Sequence, residues 1–183
     1  MALGPASRFD QLLGKHMAPE LLLSLSLACA PLVHPHTTLK LVKHESAGNP
    51  YAIGINGPYR LSPQPNSKAQ AIATAKMLLS EGMSIDMGLA MINSKNLRHL
   101  GLTVESVFDP CTNLNAMQTV LTTAYNKAVK HHGHGQAALA SALSEYNTGN
   151  ASSGIRNGYV ASIYRASLPG SLLTDGANSQ ARQ

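Results

Sequence analysis

Aliphatic side chains at helical spacing, with almost no large aromatics to fill a sheet-on-sheet core, constrain this chain more than anything else in it. Between residues 67 and 82, Ala71, Ile72, Ala75, Leu78 and Leu79 recur three and four residues apart, behind a Ser67 placed to cap the helix. The 183 residues include no Trp and only two Phe, while Ala and Leu are abundant, so the core has to be aliphatic and carried on helices. A mainly α fold follows, and a β-sandwich is disfavoured. A chain of this length with 44% hydrophobic residues suits one domain around one core.

The same spacing predicts further helices. One starts at Pro19 and Glu20, which suit a first helical turn, and absorbs the run Leu21 to Ala30 that could otherwise pass for the apolar core of a secretion signal. Another covers 36–48 with Leu39 and Val42 on one face, and Pro50 prevents it continuing. A long helix opens at Asp109-Pro110 and runs through 130, with Leu114, Met117, Leu121 and Ala124 facing inward, and two more cover 136–146 and 159–167. Residues 85–93 predict a shorter helix, and 103–107 another short element. Residues 51–66 hold three Pro and two Gly and predict an irregular or short-hairpin β region. Residues 1–17 read as a leader foreign to the natural protein, 18–168 as the folded domain, and the Gly/Ser/Asn/Gln-rich 169–183 as a disordered tail. The sequence has no internal repeat and no apolar run of membrane length.

A formal charge of +5 suits nucleic acid, a membrane surface or an anionic wall polymer. The absence of a long Lys/Arg run, and of aromatic residues interleaved with basic ones, argues against nucleic acid. His131-His132-Gly133-His134 has no accompanying Cys or carboxylate, so neither a metal nor another cofactor is expected. Cys29 and Cys111 are too far apart for a short-spaced zinc motif, which leaves two buried thiols or a bridge.

Nine carboxylates are few enough to sort. Asp10 and Asp175 fall in the leader and tail, Glu20 and Glu105 suit first turns, Glu81 precedes a terminating Gly, and Asp109 reads as an N-cap. Asp86 reads as tying down the start of its own helix. Glu45 and Glu145 remain. Glu45 lies at a helix end before a turn-forming Asn49-Pro50, a suitable place for a general acid.

Three segments in order, Glu45-Ser46-Ala47-Gly48-Asn49-Pro50, Asp86-Met87-Gly88-Leu89-Ala90-Met91-Ile92-Asn93 and Glu145-Tyr146-Asn147-Thr148-Gly149-Asn150, give the chain a family resemblance. Over residues 19–168 it resembles the lytic transglycosylases of the lysozyme superfamily, most closely the peptidoglycan-cleaving enzymes of type IV secretion systems. The resemblance implies a lysozyme-like fold whose small β region lies beside the active-site cleft. It implies one catalytic carboxyl, Glu45, which protonates the glycosidic oxygen and then, as carboxylate, takes the proton from the C6 hydroxyl that attacks C1. Burial against apolar neighbours would raise its pKa as that role requires.

By the same resemblance Ser46 positions substrate or Glu45, Asn93 lies along the cleft, Tyr146 approaches Glu45 closely, and Tyr159 is a further cleft candidate. Met91 stands where the family usually has Gln, which removes a polar contact with glycan or peptide. An oxidising periplasm is implied, which favours the Cys29–Cys111 bridge; closing that loop would add roughly 4 kcal/mol in the chain-entropy model. The implied partners are peptidoglycan strands and secretion-system envelope components, for a monomer whose natural signal peptide is absent from these residues. Two other readings compete: a hydrolytic muramidase using a second carboxylate, Glu145 first, and a non-catalytic glycan-binding assembly factor.

Overall fold

The computed structural model describes residues 16–169; most of the expected leader and of the expected tail lies outside the described residues. Helices α1 (Pro19–Cys29) and α2 (Pro35–Ser46) each begin with Pro at the first turn, where its missing N–H costs no hydrogen bond. Strand β1 (Ile53–Ile55) precedes α3 (Lys68–Ser80), whose first turn is capped by the Ser67 hydroxyl accepting from Gln70 N at 3.3 Å. Strands β2 (Ile85–Met87) and β3 (Ile92–Asn93) follow, then a short 3-10 turn at Ser94–Asn96. The long α4 (Pro110–His132) is capped by Asp109, which accepts from Thr112 N at 2.9 Å. Helices α5 (Gln136–Thr148), α6 (Ser153–Arg156) and α7 (Tyr159–Arg165) complete the order.

The core is aliphatic as the composition requires. Leu39, Leu41, Ile53, Ile85, Met87, Leu89, Ile92, Leu114, Met117 and Leu143 are fully buried, joined by the aromatics Tyr51 and Phe108. The inward face expected for α4 is buried at Leu114, Met117, Leu121 and Ala124. Cys29 and Cys111 form a disulfide that ties the end of α1 to the start of α4 across 82 residues. Met17, placed by sequence in the leader, is buried in this core, and its N–H donates to Gly48 O at 2.9 Å. No helix among the described residues is long and apolar enough to cross a membrane.

One expectation needs correction and another is narrowed. Residues 85–93 are not a helix: Ile85 and Met87 are buried with Asp86 less so between them, a period of two, and the chain reverses at Gly88 (φ 79°) and Met91 (φ 51°) into β3. Residues 51–66, expected as irregular or as a short hairpin, take the irregular form with the single strand β1. β1 pairs antiparallel with β2 from beyond α3, in the register Ile53 to Met87, Gly54 to Asp86 and Ile55 to Ile85, and β2 pairs with β3, giving the order β1-β2-β3. The sheet therefore puts Asp86 and Asn93 side by side.

Candidate active site

Glu45 stands in the last turn of α2. The helix stops immediately after it because Ala47 (φ 54°) and Gly48 (φ 81°) take left-handed conformations, earlier than Pro50 alone would require. The Ser46 hydroxyl donates to Leu89 O at 2.7 Å and accepts from Gly48 N at 3.2 Å, so the end of α2 is fastened to the turn between β2 and β3.

Two more helices hold that turn. The buried Asn113 side chain of α4 accepts from Ala90 N at 2.8 Å and donates to Met87 O at 2.9 Å and Val107 O at 2.8 Å. Tyr146 of α5 donates its hydroxyl to Ala90 O at 2.6 Å. Gly88 is obligatory here, since a Cβ would sit 2.3 Å from the Asn113 amide nitrogen and φ is positive.

A cleft of about 600 Å³ opens over this turn, lined among others by Glu45, Asp86, Met91, Asn93, Glu145 and Tyr146. Desolvation by burial raises the Glu45 carboxyl from the usual carboxylate value to about 7, with nearby Asp86 adding to the rise. Tyr159 opposes it by donating its phenol to Glu45 Oε1. Burial, and then the Glu45 carboxylate beside it, hold the Tyr159 phenol well above its ordinary value, so it stays a donor. α7 is brought to this contact from α2: Lys40 donates to Tyr164 O at 2.7 Å, Lys43 to Ser167 O at 2.6 Å, and the His44 ring meets Tyr159 edge-on at 5.0 Å.

Asp86 is the second carboxylate of the site. Asn93 donates to its Oδ1 at 2.7 Å and Asn56 to its Oδ2 at 3.0 Å, which fixes its orientation. Burial raises its pKa, and the two amides pull the other way. A proton donor near neutral pH, an oriented carboxylate and polar side chains along a groove can protonate a glycosidic oxygen and stabilise positive charge at the anomeric carbon.

The sequence profile of the transglycosylase SLT domain matches residues 23–162. The chain belongs to this family. Its mainly α, three-stranded architecture is the lysozyme-like fold of SLT domains. It is 42% identical over 135 residues, 73% of its length, to a type IV secretion system protein virB1 of Brucella abortus, and equally to that of Brucella suis. It is 35% identical over 138 residues to protein virB1 of Agrobacterium fabrum. The chain spans 56% of the length of these relatives. No solved structure matches it significantly.

Within the SLT domain the structure rearranges several expected contacts. Tyr146 lines the cleft, but its hydroxyl is spent on Ala90 O, and the phenol that reaches Glu45 is Tyr159, which does not line the cleft. Ser46 fastens the β2–β3 turn and does not line the cleft either, whereas Asn93 and Met91 do. Glu145, the first candidate for a second carboxylate in the muramidase reading, is paired with Lys127 at 2.7 Å. Asp86 does not tie down a helix start; it lies on the middle strand, near enough to Glu45 for its charge to add to the rise of that carboxyl's pKa. Asn56 and Asn113 were not anticipated. A period-two reading of Ile85-Asp86-Met87 would have turned Asp86 away from the core and shown it as a site residue.

Proposed function

We infer that this SLT domain is a lytic transglycosylase that cleaves the β-1,4 bond between N-acetylmuramic acid and N-acetylglucosamine in peptidoglycan. The observation that carries the reading is Glu45, held in the cleft with its pKa raised to about 7, so that it can give a proton and take one back near neutral pH. Glu45 protonates the glycosidic oxygen, and the bond from C1 to that oxygen breaks. The C6 hydroxyl of the same muramic acid then bonds to C1, and Glu45 recovers its proton from that hydroxyl, leaving a 1,6-anhydro end without consuming water. Tyr159 steadies the carboxylate form of Glu45, and Asp86, oriented by Asn56 and Asn93, stabilises the positive charge developing at C1.

The likeness to virB1 proteins, among them a type IV secretion system protein, supports a role in such a system, opening the wall locally for its assembly or for conjugation machinery. In that role the protein works as a monomer in the periplasm, where a disulfide such as Cys29–Cys111 persists.

Asp86 favours one competing reading. A second oriented carboxylate in the cleft could serve a hydrolytic muramidase, with water as the final acceptor. Digestion of purified peptidoglycan in 18O-enriched water separates the two. Transglycosylation leaves the new ends unlabelled, and hydrolysis puts the heavy oxygen on C1 of every new reducing end.

A further inference from the structure

The charges along the cleft are segregated. Glu45, Asp86 and Glu145 supply its carboxylates, whereas the Lys95 ammonium and the His99 imidazole belong to one short stretch just after β3. Residues four apart on a helical turn share a face, and the Leu100 N to Asn96 O bond of 2.9 Å shows that this stretch is coiled in that way. Both side chains are exposed. The Lys95 ammonium has no carboxylate within ion-pair distance among the described residues, unlike Lys127, which neutralises Glu145.

The same stretch marks a fork in the surface. A second cavity of about 210 Å³ adjoins the cleft and shares His99, Leu100 and Thr119 with it. Its remaining lining mixes apolar Leu102 and Ala116 with polar Thr112 and Asn115. A linear sugar chain has no need of a side branch in its groove. Peptidoglycan does branch, because each muramic acid carries a lactyl group extended by a short peptide with small apolar side chains and free carboxylates.

We propose that Lys95 and His99, with the side pocket behind them, form a subsite for the carboxylate-bearing lactyl-peptide arm of the glycan. Lys95 supplies a full positive charge, and His99 offers a ring N–H in either protonation state. The subsite rests on the peptidoglycan reading above and adds to it a preference for decorated strands over stripped ones.

The test is sedimentation with insoluble peptidoglycan, using the Glu45→Gln chain so that binding is read without cleavage. Two walls are compared, one untreated and one with its carboxylates converted to amides. Adding Lys95→Gln and His99→Gln together should weaken binding to untreated wall about fivefold, the size expected for one exposed ionic contact and one hydrogen bond to a carboxylate, and leave binding to amidated wall unchanged. Asn115→Trp, which fills the side pocket from an exposed position, should reproduce the loss without altering charge.

Equal losses on both walls would overturn the proposal, as would an equal loss from Lys130→Gln, a charge removal away from the cleft. Competition by soluble strands stripped of their peptides should be weak, and competition as strong as that of peptide-bearing strands would overturn the preference for decorated strands. Because binding is the readout, a chain that cleaves nothing would fail the reaction proposed above and still decide this subsite.

Discussion

The Tyr159 phenol donates to the Glu45 carboxylate across 114 residues of sequence, joining the first turn of α7 to the last turn of α2. The bond stabilises the charged form of Glu45 and so restrains the rise that burial imposes. Glu45 is left with a pKa of about 7, where neither proton donation nor proton recovery is blocked. As an acid it must be protonated when substrate binds, so kcat/KM should fall as pH rises through about 7.

Replacing Tyr159 by Phe keeps the ring and removes the donor. Glu45 should then titrate higher, moving the alkaline limb of the kcat/KM profile upward in pH, while the maximal rate falls by about tenfold through loss of the contact that steadies the carboxylate form. A lower rate with an unmoved limb would make Tyr159 a packing residue only.

The raised pKa also has a stability consequence. Glu45 binds its proton more tightly in the folded chain than in the unfolded one. Its favourable contribution is therefore complete below the ordinary carboxylate value and is lost as pH rises through about 7. The Gln variant escapes that loss. Thermal unfolding should show the Tm of Glu45→Gln gaining on that of the intact chain between about pH 5 and about pH 8, and a constant difference would contradict the burial of an ionising Glu45.

Asn113→Ala should remove three hydrogen bonds from a buried position and release the turn that carries Leu89, Ala90 and Met91 past Glu45. A loss of about 3 kcal/mol in denaturant unfolding is expected, with wall-cleaving activity reduced even where the chain remains folded. Gly88→Ala should be at least as damaging, because the new methyl meets the same Asn113 amide.

Removing the disulfide by Cys29→Ser with Cys111→Ser should destabilise the chain by about 4 kcal/mol, as expected for a closed loop of this length. Reductant should shift the Tm of the intact chain in the same direction and leave the double variant unchanged.

The helices were legible because their apolar residues recur locally: the inward faces of α3 and α4 can be read from Ala71, Ala75 and Leu78, and from Leu114, Met117 and Leu121. The sheet was not, because strands of two and three residues are too short to establish a period, and β1 takes its partner from beyond a whole helix. A helical pattern over 85–93 also hides Asp86, since only on a strand do its neighbours Ile85 and Met87 bury together and leave it in the cleft. Glu45 was legible from its motif, but the choice between Tyr146 and Tyr159 as its partner depended on how α7 packs against α2, which no local pattern encodes.

The most direct test of Glu45 as the acid and base of a transglycosylase is mass spectrometry of muropeptides released from purified peptidoglycan by the intact chain and by Glu45→Gln. Products lighter by one water than the corresponding reducing muropeptides, released by the intact chain and absent with the variant, are the predicted result. Reducing-end products, or the same anhydro products at an undiminished rate from Glu45→Gln, would contradict it.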